Sequence, residues 1–158
     1  MSNRVTDILN SLEQTRHEVK QVLDRLQLAD WEKEIQDDDQ KWTVRQIVSH
    51  MVSAQKGMSV QIVRIKEGEE GVSPDFDVHR WNQRSVQKSA DKTPQELLTA
   101  LDEDRAVLKQ TVSGLQEADL DKRGRHGSLK IMTIEEIALL IGTHEADHAR
   151  IIANRLGL

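Results

Sequence analysis

A chain of 158 residues is long enough to bury one apolar core and is expected to form a single domain over residues 1–158. It has no cysteine, which excludes disulfides and a thiol nucleophile of its own, so any metal must be held by His, Asp, Glu or water. With 22 basic against 27 acidic residues, net −5, and no basic run, nucleic acid is not expected as a partner; no apolar run suits a membrane span or a signal peptide, which points to a cytoplasmic protein with no membrane contact.

Helix formers dominate, with 3% aromatic residues and two prolines. The apolar stripe Val5, Ile8, Leu12, Val19, Val22 and Leu26 predicts a first helix over Asn3–Gln27. Ala29–Lys41, with its acidic triplet, reads as a solvated connector. Thr43 and Gln46 form a capping box opening a second helix, which Ile47, Val48, Met51, Ala54, Met58, Ile62 and Ile65 carry to about Lys66 before Gly68 and Gly71 break it. Phe76–Ala90 is a short helix or an ordered crossover. Thr93, Pro94 and Glu96 start another helix that Gly114 ends. Asp119–Lys130 reads as a loop, and Thr133 with Glu136 as a second capping box that opens the last helix, reaching about Leu156. Four long amphipathic helices without a convincing alternating strand predict an all-α four-helix bundle. No internal repeat or low-complexity segment stands out.

The chemistry gathers in that last helix. His144 and His148 are four residues apart, so they lie one above the other on one helix face. The stripe Ile137, Ile141, His144, His148, Ile151 turns that face inward. Unpaired polar groups facing the interior cost about 1–3 kcal/mol each, and one shared ion would satisfy both imidazoles, which suit zinc, nickel, copper or iron. A third ligand is needed, and His50, on the inner half of the second helix, is the best candidate; a core histidine bonded to a carbonyl is its equally weighted alternative. His17 and His79 read as surface residues, and His126, in a glycine-rich basic loop, as a residue near an entrance. Glu145 and Asp147 read as solvated flanks, with Asp147 placed to act behind His148 or as a fourth ligand if the helix is rotated. Trp42 and Trp81 read as packing residues at the bundle ends.

Trp42-Thr43-Val44-Arg45-Gln46-Ile47-Val48-Ser49-His50, followed 94 residues later by His144-Glu145-Ala146-Asp147-His148-Ala149-Arg150-Ile151, resembles the DinB-like/YfiT-like metalloenzyme superfamily, and the resemblance runs over nearly the whole chain. It implies a four-helix bundle of up-down-down-up topology, commonly a homodimer, with a divalent metal, Zn2+ or Ni2+, held by His50, His144 and His148. It also implies a transferase or isomerase using a low-molecular-weight thiol such as bacillithiol or mycothiol. Where bacillithiol transferases carry further histidines in the last motif, this chain has Asp147 and Ile151. The expected function is therefore a metal-dependent thiol S-transferase acting on small electrophiles. The alternatives are a metal-dependent hydrolase and a non-catalytic, metal-stabilised bundle that binds small molecules or serves a stress response. A homodimer would pair the first and third long helices, because the second and fourth bring the histidines together.

Overall fold

Thr43, Thr93 and Thr133 start three of the long helices by the same chemistry. In the computed structural model, which describes residues 2–158, each hydroxyl accepts the amide three residues on, from Gln46, Glu96 and Glu136, at 3.1 Å. The Gln46 side chain returns the bond to the Thr43 amide at 2.9 Å; at Thr133 the cap is one-sided. The long helices are α1 (Asn3–Leu23), α2 (Val44–Lys66), α4 (Pro94–Ser113) and α5 (Ile134–Leu156), and a short helix α3 (Val78–Lys88) lies in the crossover between α2 and α4. No helix among the described residues is long and apolar enough to cross a membrane.

Side-chain contacts give the direction of each helix. Arg4, at the start of α1, bonds Glu135 at the start of α5 and Glu117 just past the end of α4. Near the other end, Arg150 late in α5 reaches Glu18 late in α1, and His50 early in α2 meets His144 of α5. The four long helices therefore run up, down, down and up.

Two connectors depart from the sequence expectation. The first helix stops at Leu23 rather than Gln27, because the chain tightens into i→i−3 turns such as Leu26 to Leu23. Ala29–Lys41 is largely exposed but not an irregular connector: a 3₁₀ turn over Leu28–Glu32 buries Asp30 and Trp31, and a hairpin of β1 (Glu34–Asp37) and β2 (Gln40–Thr43) follows, with Ile35 and Asp37 facing inward. The loop expected over Asp119–Lys130 likewise holds a 3₁₀ turn over Glu117–Asp121 and the strand β3 (Arg123–Arg125), paired with β4 (Ile131–Thr133). Strands of three or four residues are too short for alternation to announce them.

These two connectors are copies of one another, so the chain contains a repeat that its sequence does not display. In the first, the Gln27 amide donates to Asp30 at 2.8 Å, Lys33 donates to the same carboxylate at 2.7 Å, and the Lys33 carbonyl accepts from Val44. In the second, Gln116, Asp119, Lys122 and Ile134 do the same. The correspondence extends into the helices: Leu12 and Arg16 of α1 match Leu101 and Arg105 of α4, and Gln55 of α2 matches Glu145 of α5, at separations of 89 or 90 residues. The unit helix–hairpin–helix is present twice, related by an approximate two-fold axis.

That axis runs through a buried polar layer. Arg16 donates to Glu145, to Gln55 and to the Leu101 carbonyl; Arg105 donates to Glu145, to Gln55 and, in the matching position, to the Leu12 carbonyl. Glu145 is 1% exposed, which corrects its reading as a solvated flank. The inward face of α5 is centred on Ile141, Glu145, Ala149 and Ile152 rather than on the histidines. The layer separates two apolar clusters, one around Ile8, Ile62, Leu108 and Ile137 and one around Val19, Trp31, Ile47 and Ile152.

Candidate metal centre

Because the centre of the buried α5 face passes through Glu145, His144 and His148 stand at its edge, half-buried and turned toward α2. His50, 7% exposed, meets them there. Its Nε2 lies 3.2 Å from His144 Nε2, which lies 3.0 Å from His148 Nε2, and the three ligand atoms are within 4.8 Å of one another. The rings meet edge to face, with centroids 4.4–5.0 Å apart. Zinc–imidazole bonds of about 2.0–2.1 Å, set about 90–110° apart, place nitrogens about 2.9–3.4 Å from each other. The donor set thus fits a divalent ion. Hydrogen bonding alone fits poorly, since the single Nε2 of His144 faces two other ring nitrogens.

Behind His148 stands a residue absent from the sequence reading. Its Nδ1–H donates to Asp37 Oδ2 at 2.6 Å, and the carboxylate is 3% exposed. This bond keeps the proton on Nδ1 and leaves the Nε2 lone pair free for an ion. The hairpin positions Asp37: β1 alternates outward and inward, and the turn after it is closed by Asp38 in the left-handed region at φ 53°. Asp147 takes no part, being exposed and bonded to Arg150 at 2.6 Å. Replacing Asp37 with alanine is expected to weaken metal binding about 10- to 100-fold without unfolding the bundle. Competition against a chromophoric chelator reads this directly, and unchanged affinity would remove Asp37 from the centre.

Burial, reinforced by the neighbouring His148, pushes His50 down to about 4, and burial together with the other imidazoles pushes His144 to about 2. Both are neutral at physiological pH and available as ligands. Above the ordinary histidine range near 6.5, neither folded nor unfolded chain protonates these residues. As pH falls from there toward about 4, the unfolded chain takes up protons that the folded one refuses. Stability is therefore present at neutral pH and lost on acidification. Urea melts of metal-free protein between about pH 7 and 5 should show the decline, and a His50→Phe, His144→Leu variant should flatten it.

The cluster opens on two cavities that share His50, His144 and Asn82. The larger, about 520 Å³, has walls of Met58, Val72, Phe76, Trp81 and Leu140, and no Asp or Glu lines it. The smaller, about 250 Å³, is bordered by Asp37, Asp38, Asp39, Trp42 and His79. Trp42 packs against His50 with centroids 5.4 Å apart, and Trp81 against Phe76 at 6.5 Å. Both tryptophans are walls of the site rather than plugs at the bundle ends. His126 lines the larger cavity, in keeping with its expected place near an entrance; His17 is exposed.

Three solved structures share the fold. YfiT from Bacillus subtilis, described as a probable metal-dependent hydrolase with an unusual four-helix bundle topology, is 19% identical, with a TM-score of 0.74 over 99% of this chain and 90% of its own. The mycothiol-dependent maleylpyruvate isomerase is 14% identical, with a TM-score of 0.77 over 96% of this chain and 63% of its own. The colibactin self-resistance protein ClbS, solved with double-stranded DNA, is 12% identical, with a TM-score of 0.78 over 97% of this chain and 95% of its own. ClbS corrects the exclusion of nucleic acid drawn from composition. A protein of this fold is seen on DNA, and net charge, which averages over the whole surface, does not decide what one face can hold. No curated protein matches the sequence. The DinB superfamily model matches residues 6–152, a span that includes all three histidines, both hairpins, the whole of α2 and α4 and most of α1 and α5, and the chain belongs to the DinB superfamily.

Proposed function

We propose that the chain is a metal-dependent enzyme in which His50, His144 and His148 hold one divalent ion, zinc or nickel, and that it joins a small-molecule thiol to an electrophile. The observation that carries this reading is the convergence of three imidazole Nε2 atoms, one backed by a buried carboxylate, at the head of a cavity. An ion held there supplies Lewis-acid chemistry, lowering the pKa of a thiol or a water that takes an open coordination position. The chain supplies the rest. Asp37 fixes the tautomer of His148, burial keeps His50 and His144 neutral, and Phe76 and Trp81 keep bulk water from the apolar side.

With no cysteine in the chain, the sulfur would come from a second substrate. One feature favours a thiol over water as nucleophile. No carboxylate lines the larger cavity to take a proton from water, whereas a thiol, with an ordinary pKa of about 8.5, ionises near neutrality without such a base. In the step, sulfur bonds to the electrophilic carbon, the leaving group departs with its electron pair, and the thiol proton passes to solvent. Hydrolysis is the second reading, favoured by the likeness of fold to YfiT, a probable metal-dependent hydrolase. Metal-loaded protein incubated with cysteine and 1-chloro-2,4-dinitrobenzene should form the thioether, and His50→Ala should return the rate to background. Cleavage of p-nitrophenyl acetate without thiol, and no thioether, would instead select hydrolysis.

A further inference from the structure

The two-fold repeat relates the histidine cluster to the larger cavity residue by residue. Counting from the matched caps Thr43 and Thr133, the counterpart of His50 is Leu140, that of His144 is Ala54 and that of His148 is Met58. Asp37, opposite Gln40 in the first hairpin, corresponds to His126, opposite Lys130 in the second. All four counterparts line the cavity. The bundle thus has two equivalent pockets that meet at His50 and His144, one furnished with imidazoles and one with aliphatic side chains.

Gln61 and His126 each bring an unspent polar atom to this pocket. Gln61 lines it, and its Oε1 is buried without a partner among the described residues; a buried acceptor of this kind calls for a donor. His126 Nδ1 accepts from the Ser128 amide at 3.1 Å, so the neutral ring carries its proton on Nε2, which has no hydrogen-bond partner among the described residues. The pocket therefore offers an acceptor from Gln61 and a donor from His126 beside its apolar walls of Met58, Val72, Phe76 and Leu140; Ser53, Asn82 and the exposed Lys56 and Arg64 also line it, and no acid does. We propose that it holds the apolar body of a neutral small molecule bearing an amide, with the N–H donating to Gln61 and the carbonyl accepting from His126, and that this molecule is the electrophile presented to the histidine cluster. The last clause rests on the function proposed above; binding itself does not.

Benzamide and toluene are suitable probes, titrated against the full chain and followed by Trp81 and methyl NMR shifts. Benzamide is expected to saturate one site, about tenfold more tightly than toluene, and Gln61→Leu should abolish that preference. Ala54→Phe, which fills the pocket, should abolish binding, with Val60→Trp at the exposed rim as the second blocker should the first not fold. His148→Ala does not alter the pocket wall, so it should lose the metal and keep benzamide. That variant separates the two claims, and a wild-type chain that binds benzamide but no metal would defeat the proposed function and leave the pocket standing. No saturable benzamide binding, equal affinity for the two probes, or binding indifferent to both blockers would overturn the pocket.

Discussion

Replacing Glu145 with alanine is expected to destabilise the fold by about 3–5 kcal/mol, a large fraction of the roughly 5–15 kcal/mol that holds a protein of this kind together. Glu145 is the shared acceptor for both Arg16 and Arg105, which are 8% and 5% exposed. Without it, two guanidinium groups stay buried with Gln55 and two backbone carbonyls as their remaining inner partners, and with the largely exposed Asp102 beside Arg16. Glu145→Gln keeps an acceptor but removes the charge, and should fall between the two. Urea denaturation at neutral pH measures the series. A loss below about 1 kcal/mol for Glu145→Ala would show that the layer is not what joins the two halves.

The second large effect is on metal. His144→Ala removes the central nitrogen of the cluster, the one within 3.2 Å of both others. Two ligands on different helices remain, too few for a tight site. The wild-type chain at a hundredfold excess of metal over Kd should gain about 2.7 kcal/mol, or about 5–10 °C in Tm for a chain of this size. In His144→Ala that gain should vanish, while the melting of the metal-free forms stays close. Scanning calorimetry with and without a chelator makes the comparison, and His17→Ala, an exposed position, serves as control.

Much of this architecture is legible in the sequence because it is locally encoded. Thr43, Thr93 and Thr133 announce their helices through bonds spanning three residues, and the i, i+4 spacing of His144 and His148 brings two imidazoles together on any helix. His50 is found because its helix carries a clear apolar stripe. Asp37 is hidden for a physical reason: it begins a run of three aspartates, and only the hairpin register decides which one turns inward. Glu145 is misread because the histidines are taken as the centre of the α5 face, when that centre lies one residue further round. The layer does leave a signal, since Arg16 sits between Leu12 and Val19, and Arg105 between Leu101 and Leu108, at core spacing. Two arginines on apolar stripes call for a buried acid. The repeat escapes notice because its halves share a few capping and network residues, while His50 faces Leu140 across the axis and the ligand positions differ completely.

The most direct measurement is anomalous diffraction from zinc-loaded crystals collected on either side of the zinc edge. The account predicts one peak per chain about 2.0–2.1 Å from the Nε2 atoms of His50, His144 and His148, with Asp37 still bonded to His148. A peak held by other residues, or no peak at saturating zinc with the three rings still in contact, would contradict it.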